Sequence, residues 1–290
     1  MTDVKRPVLR WHGGKWRLAP WVIRHFPPHR IYVEPFGGAG SVLLRKPRAY
    51  AEVYNDLDGD VVTLFRVLRD EAQAARLIEL LKLTPFSRDE FLAAYEPTED
   101  PVERARRLVA RCFMAHGTTA RRVNQTGFRA KAYRQNQTGA QDFSTHPDTL
   151  EAVVERLRGV CIENRPAVQV IEHQDGPDTL HYCDPPYVHQ TRTASRGSAN
   201  DRAYAVEMND DDHVALLDCL KGCQGHVVLS GYPCALYDDA LPGWTRVERA
   251  ALADGARKRT EVLWINPRAT EALAGGSGAQ MPLPMVGGAA

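Results

Sequence analysis

The stretch that most constrains this chain is Asp184-Pro185-Pro186-Tyr187, which follows a short, mostly apolar run, Leu180 to Cys183. That run has the length of a buried strand in a parallel sheet, so it places Asp184 at a strand's carboxyl end, where open α/β sheets bind ligands. The prolines stiffen the backbone, and the Tyr187 ring offers a surface on which a planar base can stack. The stretch suits a planar substrate with an amino group. A strand that ends in a proline turn beside a core tyrosine is the structural alternative.

A second strand-and-turn unit lies nearer the N-terminus. Ile31 to Glu34 is predicted to be a strand, and Pro35-Phe36-Gly37-Gly38-Ala39-Gly40-Ser41 follows as a glycine turn that should open a helix. This is the first unit of a nucleotide-binding α/β sheet, in which glycines permit a tight turn close to the ligand. A dinucleotide fingerprint would need glycine at position 43, where this chain has Leu43. The pattern therefore favours a nucleoside without phosphates.

An acidic sequence, Asn55-Asp56-Leu57-Asp58, follows the next predicted strand, Ala51 to Tyr54. An acid about 20 residues after the glycine turn commonly binds ribose hydroxyls in such folds. We assign that role to Asp56, and we expect Asp58 to be the N-cap of the following helix.

A further candidate segment is residues 7–16, in which Trp11 and Lys15 flank Gly13 and Gly14. The two glycines allow close approach of the backbone to a ligand, and the flanking side chains supply a ring and a charge. A simple N-terminal loop would have the same composition, so this segment alone decides nothing.

Residues 66–155 differ in character from the rest of the chain. From Arg104 to Gln141 there are nine basic residues and no acidic ones, a patch hidden in a net charge of +1. Basic, aromatic and amide side chains together suit contacts with the phosphates and base edges of a nucleic acid, although a solvated basic loop is the alternative. We expect these contacts in the polar part after Met114, from Arg121, Arg122, Asn124, Arg129, Lys131 and Arg134.

The composition is that of an ordinary globular protein, with 43% hydrophobic and 25% charged residues. The six cysteines are scattered without a Cys-x-x-Cys pair, and no histidine completes a zinc pattern. We therefore expect no metal and interpret the cysteines as reduced thiols of a cytoplasmic protein. We also expect no membrane association, since the sequence has no long apolar segment and no apolar N-terminal signal region.

The remaining elements suggest how the chain divides. Asp210 is expected to cap a helix, and further strands are predicted at Val160–Glu163, His226–Ser230, Trp244–Arg249 and Thr260–Ile265. From Ala269 onward, glycine, alanine and proline predominate, which predicts a disordered tail. We divide the chain into a discontinuous α/β domain (1–65 and 156–268), an inserted domain (66–155) and the tail (269–290).

With these segments placed, the chain resembles the N6-adenine-specific DNA methyltransferases of the Dam-like (alpha) class. Four segments carry the resemblance and occur in the family's order: Trp11-His12-Gly13-Gly14-Lys15, Val33 to Ser41, Asn55-Asp56 and Tyr182-Cys183-Asp184-Pro185-Pro186-Tyr187. The resemblance implies an α/β fold, a Rossmann-like S-adenosylmethionine-dependent methyltransferase sheet. It also implies that residues 66–155 form an inserted, mainly helical target-recognition domain.

The resemblance also implies roles for particular residues. The methyl donor, S-adenosylmethionine, is expected at Trp11, Gly14, Lys15, Glu34, Phe36, Gly38, Gly40, Asp56 and Asp184. The catalytic segment is expected to be Asp184, Pro185, Pro186 and Tyr187, which would hold an adenine flipped out of double-stranded DNA. Hydrogen bonds from the amine to the Asp184 carboxylate and the Pro185 carbonyl would prepare direct in-line attack on the methyl group. Double-stranded DNA is the expected partner, and a cognate restriction endonuclease stays open as another.

Rival functions also stay open. A cytosine-N4 methyltransferase would share the sheet but would usually have serine in place of Asp184. An RNA or protein-glutamine methyltransferase could share the tetrapeptide, but we would not expect it to combine the Gly-Gly-Lys segment with a basic insertion. A catalytically inactive DNA-binding homologue would keep the basic insertion and lose the donor contacts.

Overall fold

One mixed sheet organises the described part of the chain. The structure is a computed structural model and describes residues 4–116, 127–131, 138–188, 206–252 and 258–275. The strands are β1 Ile31–Glu34, β2 Ala51–Asn55, β3 Val160–Glu163, β4 Thr179–Cys183, β5 His226–Gly231, β6 Thr245–Leu252 and β7 Lys258–Ile265. They lie in the order β3-β2-β1-β4-β5-β7-β6.

The strand order fixes where a ligand can bind. Strands β1 to β5 pair in parallel, whereas β7 lies antiparallel between β5 and β6. The chain runs outward from β1 through β2 to β3 and then returns to place β4 beside β1. This reversal is a topological switch point, and in open α/β sheets the ligand crevice lies beyond the carboxyl ends of the strands at that point.

Helices connect and cover the strands. They are α1 Ala19–Ile23, α2 Gly59–Val67, α3 Glu71–Leu83, α4 Arg88–Ala93, α5 Pro101–Met114, α6 Gly139–Ser144, α7 Leu150–Leu157, α8 Ala167–Gln174, α9 Asp210–Gly222, α10 Ala235–Ala240 and α11 Pro267–Gly275. Side-chain oxygens begin several of them: Asp58 caps α2, Asp100 caps α5 and Asn209 caps α9. No helix among the described residues is long and apolar enough to cross a bilayer.

The helices between β2 and β3 share one hydrophobic core with the sheet. Leu77 on α3 and Phe113 on α5 belong to the same buried cluster as Tyr54 on β2. The basic side chains of α5 hold this packing together, because Arg104 and Arg111 both form ion pairs with Asp60 on α2, at 2.6 and 2.9 Å. The inserted segment, as far as it is described, therefore does not have a core of its own.

The structure corrects three expectations about elements. The glycine turn does not open an α-helix, and residues 41–46 form turns instead. The N-cap of α9 is Asn209, whose extended backbone places its side chain on the Asp212 N–H, and Asp210 is the first helical residue. The expected tail starts too early, since α11 continues to Gly275 and buries Ala269 against the core.

Candidate active site

The carboxyl ends of β1, β2 and β4 bring three acidic side chains to one cleft. Glu34 is the last residue of β1, Asp56 follows β2, and Asp184 follows β4. All three line a cleft with an empty volume of about 840 Å³, its open mouth included.

The glycine turn forms one wall of the cleft. Gly38 and Gly40 adopt left-handed φ angles of +48° and +61°. A β-carbon at position 37 would lie 2.1 Å from the Tyr54 ring, and one at position 38 would lie 2.5 Å from Nε1 of Trp11. Only glycine therefore lets the turn pack against these rings, and the predicted role of the glycines in close approach is consistent with this geometry.

Asp56 ties the loop after β2 to the glycine turn. One carboxylate oxygen accepts a hydrogen bond from the Gly38 N–H at 2.7 Å, and the other accepts one from the Asp58 N–H at 2.7 Å. The Asp58 side chain accepts from the Asp60 N–H, so its predicted role as a helix cap is confirmed. The Asp56 carboxylate also lines the cleft, where a bound ligand would meet it.

Glu34 is almost fully buried under the turn. The same carboxylate oxygen accepts hydrogen bonds from the Tyr32 hydroxyl at 2.7 Å and the Leu43 N–H at 2.9 Å. Burial raises the pKa of Glu34 to about 8, because desolvation outweighs these hydrogen bonds. Glu34 therefore takes up a proton close to neutral pH in the protein without ligand.

Lys15 and Asp184 form an ion pair at the end of β4. The ammonium lies 2.8 Å from Oδ1 of Asp184, and the two side chains are 5% and 17% exposed. Burial raises the pKa of Asp184, while the Lys15 ammonium and a hydrogen bond with Ser230 act against that rise. Lys15 thus favours the ionised carboxylate in a place where burial alone would favour the acid.

Tyr187 lies beside this pair with its hydroxyl turned into the protein. The hydroxyl donates to Oε2 of Glu261 on β7 at 2.8 Å, and the ring meets Tyr232 edge-on at 4.4 Å between centroids. The Lys15 ammonium sits over the ring, 4.7 Å from its centroid. The stacking surface expected of Tyr187 is therefore covered, at least in part, by Lys15.

The structure brings most of the predicted donor and catalytic residues to the cleft. Those that line it are Trp11, Gly14, Lys15, Glu34, Phe36, Gly38, Asp56, Asp184 and Pro186. Gly40, Pro185 and Tyr187 are buried beside it. Sequence reasoning missed other residues of the lining, including Ser41, Leu57, Ala167 and Met208. It also missed Glu261, for which the sequence carries no local signal, because β7 reaches the site only through its antiparallel pairing with β5.

The basic segment is described only in part. Arg121, Arg122, Asn124 and Arg134 lie outside the described residues. Arg129 is 8% exposed and forms an ion pair with Asp142 at 3.3 Å, whereas Lys131 is exposed. Backbone hydrogen bonds join residues 114–116 to 127–129 and so fix the base of this segment. Of the two described residues, Lys131 is the one available to a phosphate, and Arg129 points inward.

One cluster of potential metal ligands among the described residues lies away from the cleft, and its members are too far apart in sequence to form a recognisable spacing. Asp175, His181 and Cys223 each place a potential ligand atom within 4.8 Å of the others. The Asp175 carboxylate already accepts hydrogen bonds from the Gln224 and Gly225 N–H groups and lies 3.3 Å from Nε2 of His181. Asp175 therefore links β4 to the residues just before β5 by hydrogen bonds, which is a structural role for this cluster.

This sheet of seven strands, with its cleft at the switch point, is consistent with the fold of S-adenosylmethionine-dependent methyltransferases. A family model described as D12 class N6 adenine-specific DNA methyltransferase matches residues 11–250, and the chain belongs to this family. The match covers the glycine turn, the basic segment and the Asp184–Tyr187 stretch, so the resemblance predicted from the four segments is confirmed.

Curated relatives match over shorter stretches. The chain is 39% identical over 71 residues to the DNA adenine methylase of Vibrio cholerae serotype O1, which is 24% of this chain and 25% of the relative. It is 39% identical over 75 residues to the DNA adenine methylase of Escherichia coli K12, covering 24% and 27%. It is 36% identical over 64 residues to that of Serratia marcescens, covering 22% and 23%. The chain thus matches about a quarter of the length of these relatives.

Proposed function

We propose that this chain transfers a methyl group from S-adenosylmethionine to the N6 amine of adenine in double-stranded DNA. The observation that carries the proposal is the position of Asp184, whose carboxylate stands at the switch point in the same cleft as the glycine turn. Family membership supports the reaction type and the adenine target. A cognate restriction endonuclease stays a prediction.

The cleft fits a cationic nucleoside better than a phosphorylated one. Besides Glu34, which its raised pKa keeps largely protonated, the carboxyl groups of Asp56, Asp58 and Asp184 line the cleft and outnumber the Lys15 ammonium, and a cleft with excess negative charge repels phosphates and attracts positive ligands. The glycine turn leaves room for close approach, Trp11 supplies a flat ring, and Asp56 lines the cleft as the proposed acceptor for ribose hydroxyls. S-adenosylmethionine carries a sulfonium, an amino group and a nucleoside, and when bound it supplies an electrophilic methyl group.

Asp184 is proposed to prepare the amine for attack. The lone pair of the adenine amine is delocalised into the ring, which makes the amine a poor nucleophile. Hydrogen bonds from its two protons to the Asp184 carboxylate and the Pro185 carbonyl stabilise the positive charge that develops as the amine attacks in line. Lys15 supports this role because it opposes the rise in pKa that burial imposes on Asp184.

The target base has to leave the duplex before it can reach Asp184, since the amine is paired inside the helix. Tyr187 is the proposed surface for the flipped base. Its ring is 7% exposed and lies under the Lys15 ammonium, so stacking on that face requires Lys15 to swing aside. Part of the rate enhancement then comes from positioning the two bound substrates.

Recognition of the DNA sequence is proposed to involve the inserted segment. Its arginines on α5 are committed to ion pairs with acidic residues of α2, α4 and α5 itself. The base of the polar segment that follows is anchored against the end of α5, and the exposed Lys131 comes two residues after the last of these contacts. These contacts attach the proposed recognition segment directly to the α/β sheet domain.

The test is incubation of the protein with donor labelled in its methyl group and with duplex DNA, RNA or protein acceptors, followed by identification of the product. We expect N6-methyladenine in DNA. N4-methylcytosine, or label in RNA or protein, would contradict the proposal in favour of one of the rival functions.

The matched variant is Asp184→Ala. We expect it to lose at least 1000-fold in rate, about 4 kcal/mol of barrier, while it keeps the fold. Circular dichroism should match that of the wild type, whereas the melting temperature should fall, because the buried Lys15 ammonium loses its partner at 2.8 Å. A rate within about tenfold of the wild type would remove Asp184 from the reaction.

A further inference from the structure

A second buried carboxylate stands behind the proposed catalytic one. Glu261 lies on β7 and is 7% exposed. Its Oε2 accepts a hydrogen bond from the Tyr187 hydroxyl at 2.8 Å and lies 4.0 Å from the Lys15 ammonium. The same ammonium lies 2.8 Å from Asp184, so one cation is shared between two carboxylates.

The arrangement places Glu261 in contact with two neighbours of Asp184. Tyr187 is held at its hydroxyl by Glu261, and its ring is covered by Lys15. Lys15 in turn is held between the two acids, with Asp184 the closer. A change at Glu261 therefore reaches Asp184 through the position of Lys15 and through the orientation of Tyr187.

We propose that Glu261 is a positioning residue for methyl transfer, which anchors the Tyr187 hydroxyl and competes with Asp184 for the Lys15 ammonium. The inference rests on the proposed function, in which Asp184 accepts the protons of the target amine. It gives β7 a part in the reaction, although none of the segments that carry the family resemblance includes this strand.

The shared cation predicts coupled titration of the two acids. Burial raises the pKa of both carboxyls, Lys15 acts against both shifts, and the negative charge of Asp184 adds to the rise at Glu261. The charged and titratable groups around the pair are Lys15 from the N-terminal segment, Glu34 on β1, Tyr182 on β4, Tyr187, Tyr232 after β5 and Arg259 on β7. Since the repulsion is mutual, removing the charge of Glu261 lowers the pKa of Asp184.

The variant that tests the proposal is Glu261→Gln, which keeps the shape of the side chain and can still accept from Tyr187. The matched control is Glu248→Gln, the same chemical change on the neighbouring strand β6, where the side chain is 50% exposed. Tyr187→Phe and the double variant complete the set, because they remove the hydroxyl that Glu261 holds.

Two readouts separate positioning from packing. The first is kcat against pH with duplex DNA. We expect Glu261→Gln to lower kcat about tenfold, to move the acidic limb of the profile to lower pH, and to leave the affinity for S-adenosylhomocysteine within about twofold. The double variant should be no slower than the slower single variant, because both changes weaken the same hydrogen bond.

The second readout needs no activity. Titration of the Asp184 carboxyl carbon, followed by ¹³C NMR in the protein without DNA, should give a lower pKa in Glu261→Gln than in the wild type and no change in Glu248→Gln. An unchanged pKa of Asp184, or kcat losses that multiply in the double variant, would overturn the role of Glu261. A wild type that methylates no adenine would instead refute the proposed function, and the carboxyl titration would still decide whether Glu261 acts on Asp184.

Discussion

At the scale of single residues, the site depends on one lysine between two acids. Lys15 is 5% exposed, and its ammonium lies 2.8 Å from Asp184. Desolvation makes a buried carboxylate costly unless a partner compensates it. In the proposed mechanism the ammonium would therefore set the pH range in which Asp184 can act as an acceptor, because it opposes the rise in the pKa of Asp184.

The first prediction concerns Lys15→Met, which keeps most of the length of the side chain and removes its charge. Without the ammonium, the pKa of Asp184 should rise further above its usual value. Because the proposed mechanism needs the carboxylate, the acidic limb of the rate profile should move to higher pH, the reverse of the shift expected for Glu261→Gln. Methyl transfer measured against pH checks this.

Lys221→Met is the control for that prediction, since Lys221 is 44% exposed and pairs with Asp218 on the outer face of α9. Its rate profile should match that of the wild type. A profile for Lys15→Met that keeps its acidic limb in place would show that Lys15 does not tune Asp184.

At the scale of elements, the sequence predicted those strands and helix caps that are determined by neighbouring residues. The bounds of β1 and β3 are those predicted, because a short apolar strand between turn residues is a local signal. The cap at Asp58 was predicted for the same reason. The turns after Gly40 were not, because tertiary packing of Gly37 on Tyr54 and of Gly40 on Phe65 decides their path.

Glu261 illustrates what the sequence could not predict. A strand was expected at Thr260–Ile265, and the structure has one at Lys258–Ile265. Nothing local shows that this strand enters the sheet between β5 and β6, antiparallel to β5. That placement is a long-range pairing, and it alone brings a carboxylate from the last strand to within 2.8 Å of the Tyr187 hydroxyl.

The second prediction concerns the glycine turn. Gly38→Ala should lose about 1 kcal/mol of stability from its left-handed backbone and should also weaken donor binding, because its β-carbon would displace Trp11. Gly159→Ala is the matched control: φ is +80°, and a β-carbon there would meet no atom within 4 Å. Calorimetry with S-adenosylhomocysteine should separate the two variants. Equal donor affinities would show that the contact between the turn and Trp11 does not shape the site.

The third prediction concerns the described part of the basic segment. Lys131→Ala should weaken binding to every DNA sequence alike and reduce the salt slope of log affinity by about 0.9, the value for one phosphate contact. Arg129→Ala should instead lower thermal stability, since it leaves the partly buried Asp142 without one of its two arginine partners. DNA affinity against salt, together with melting, distinguishes them. A salt slope unchanged in Lys131→Ala would place the phosphate contacts elsewhere.

At the scale of the whole molecule, buried histidines make stability depend on pH. Burial lowers the pKa of His29 to about 4 and that of His146 to about 3, from an ordinary value of 6.5. As pH falls below 6.5, the unfolded chain takes up these protons first, so each histidine lowers the free energy of unfolding by up to about 1.4 kcal/mol per pH unit. Glu34 acts the other way, because its raised pKa makes the folded state the better proton acceptor between pH 8 and 4.5.

The fourth prediction isolates one of these groups. His146→Leu replaces a fully buried ring beside Phe113 with an apolar side chain that cannot take up a proton. Relative to the variant, the wild type should lose stability steadily as pH falls from 6.5 towards 4, while the difference between them stays constant above pH 7. Urea unfolding across this pH range measures the free energy of unfolding of both proteins. Two curves that run parallel at all pH values would show that His146 does not titrate on unfolding.

The position of β7 in the sheet also has a consequence for synthesis. A ribosome delivers Lys15 and the Asp184 stretch long before Glu261, and β5 and β6 are both complete before the strand that joins them. Until then the edge of β5 is unpaired and open to association with other chains. A polypeptide that ends before residue 258 would contain every segment of the family resemblance. It would still lack β7, which joins β5 to β6, and the Glu261 carboxylate. Under the proposed function, methyl transfer should therefore start only when the last strand of the sheet has emerged.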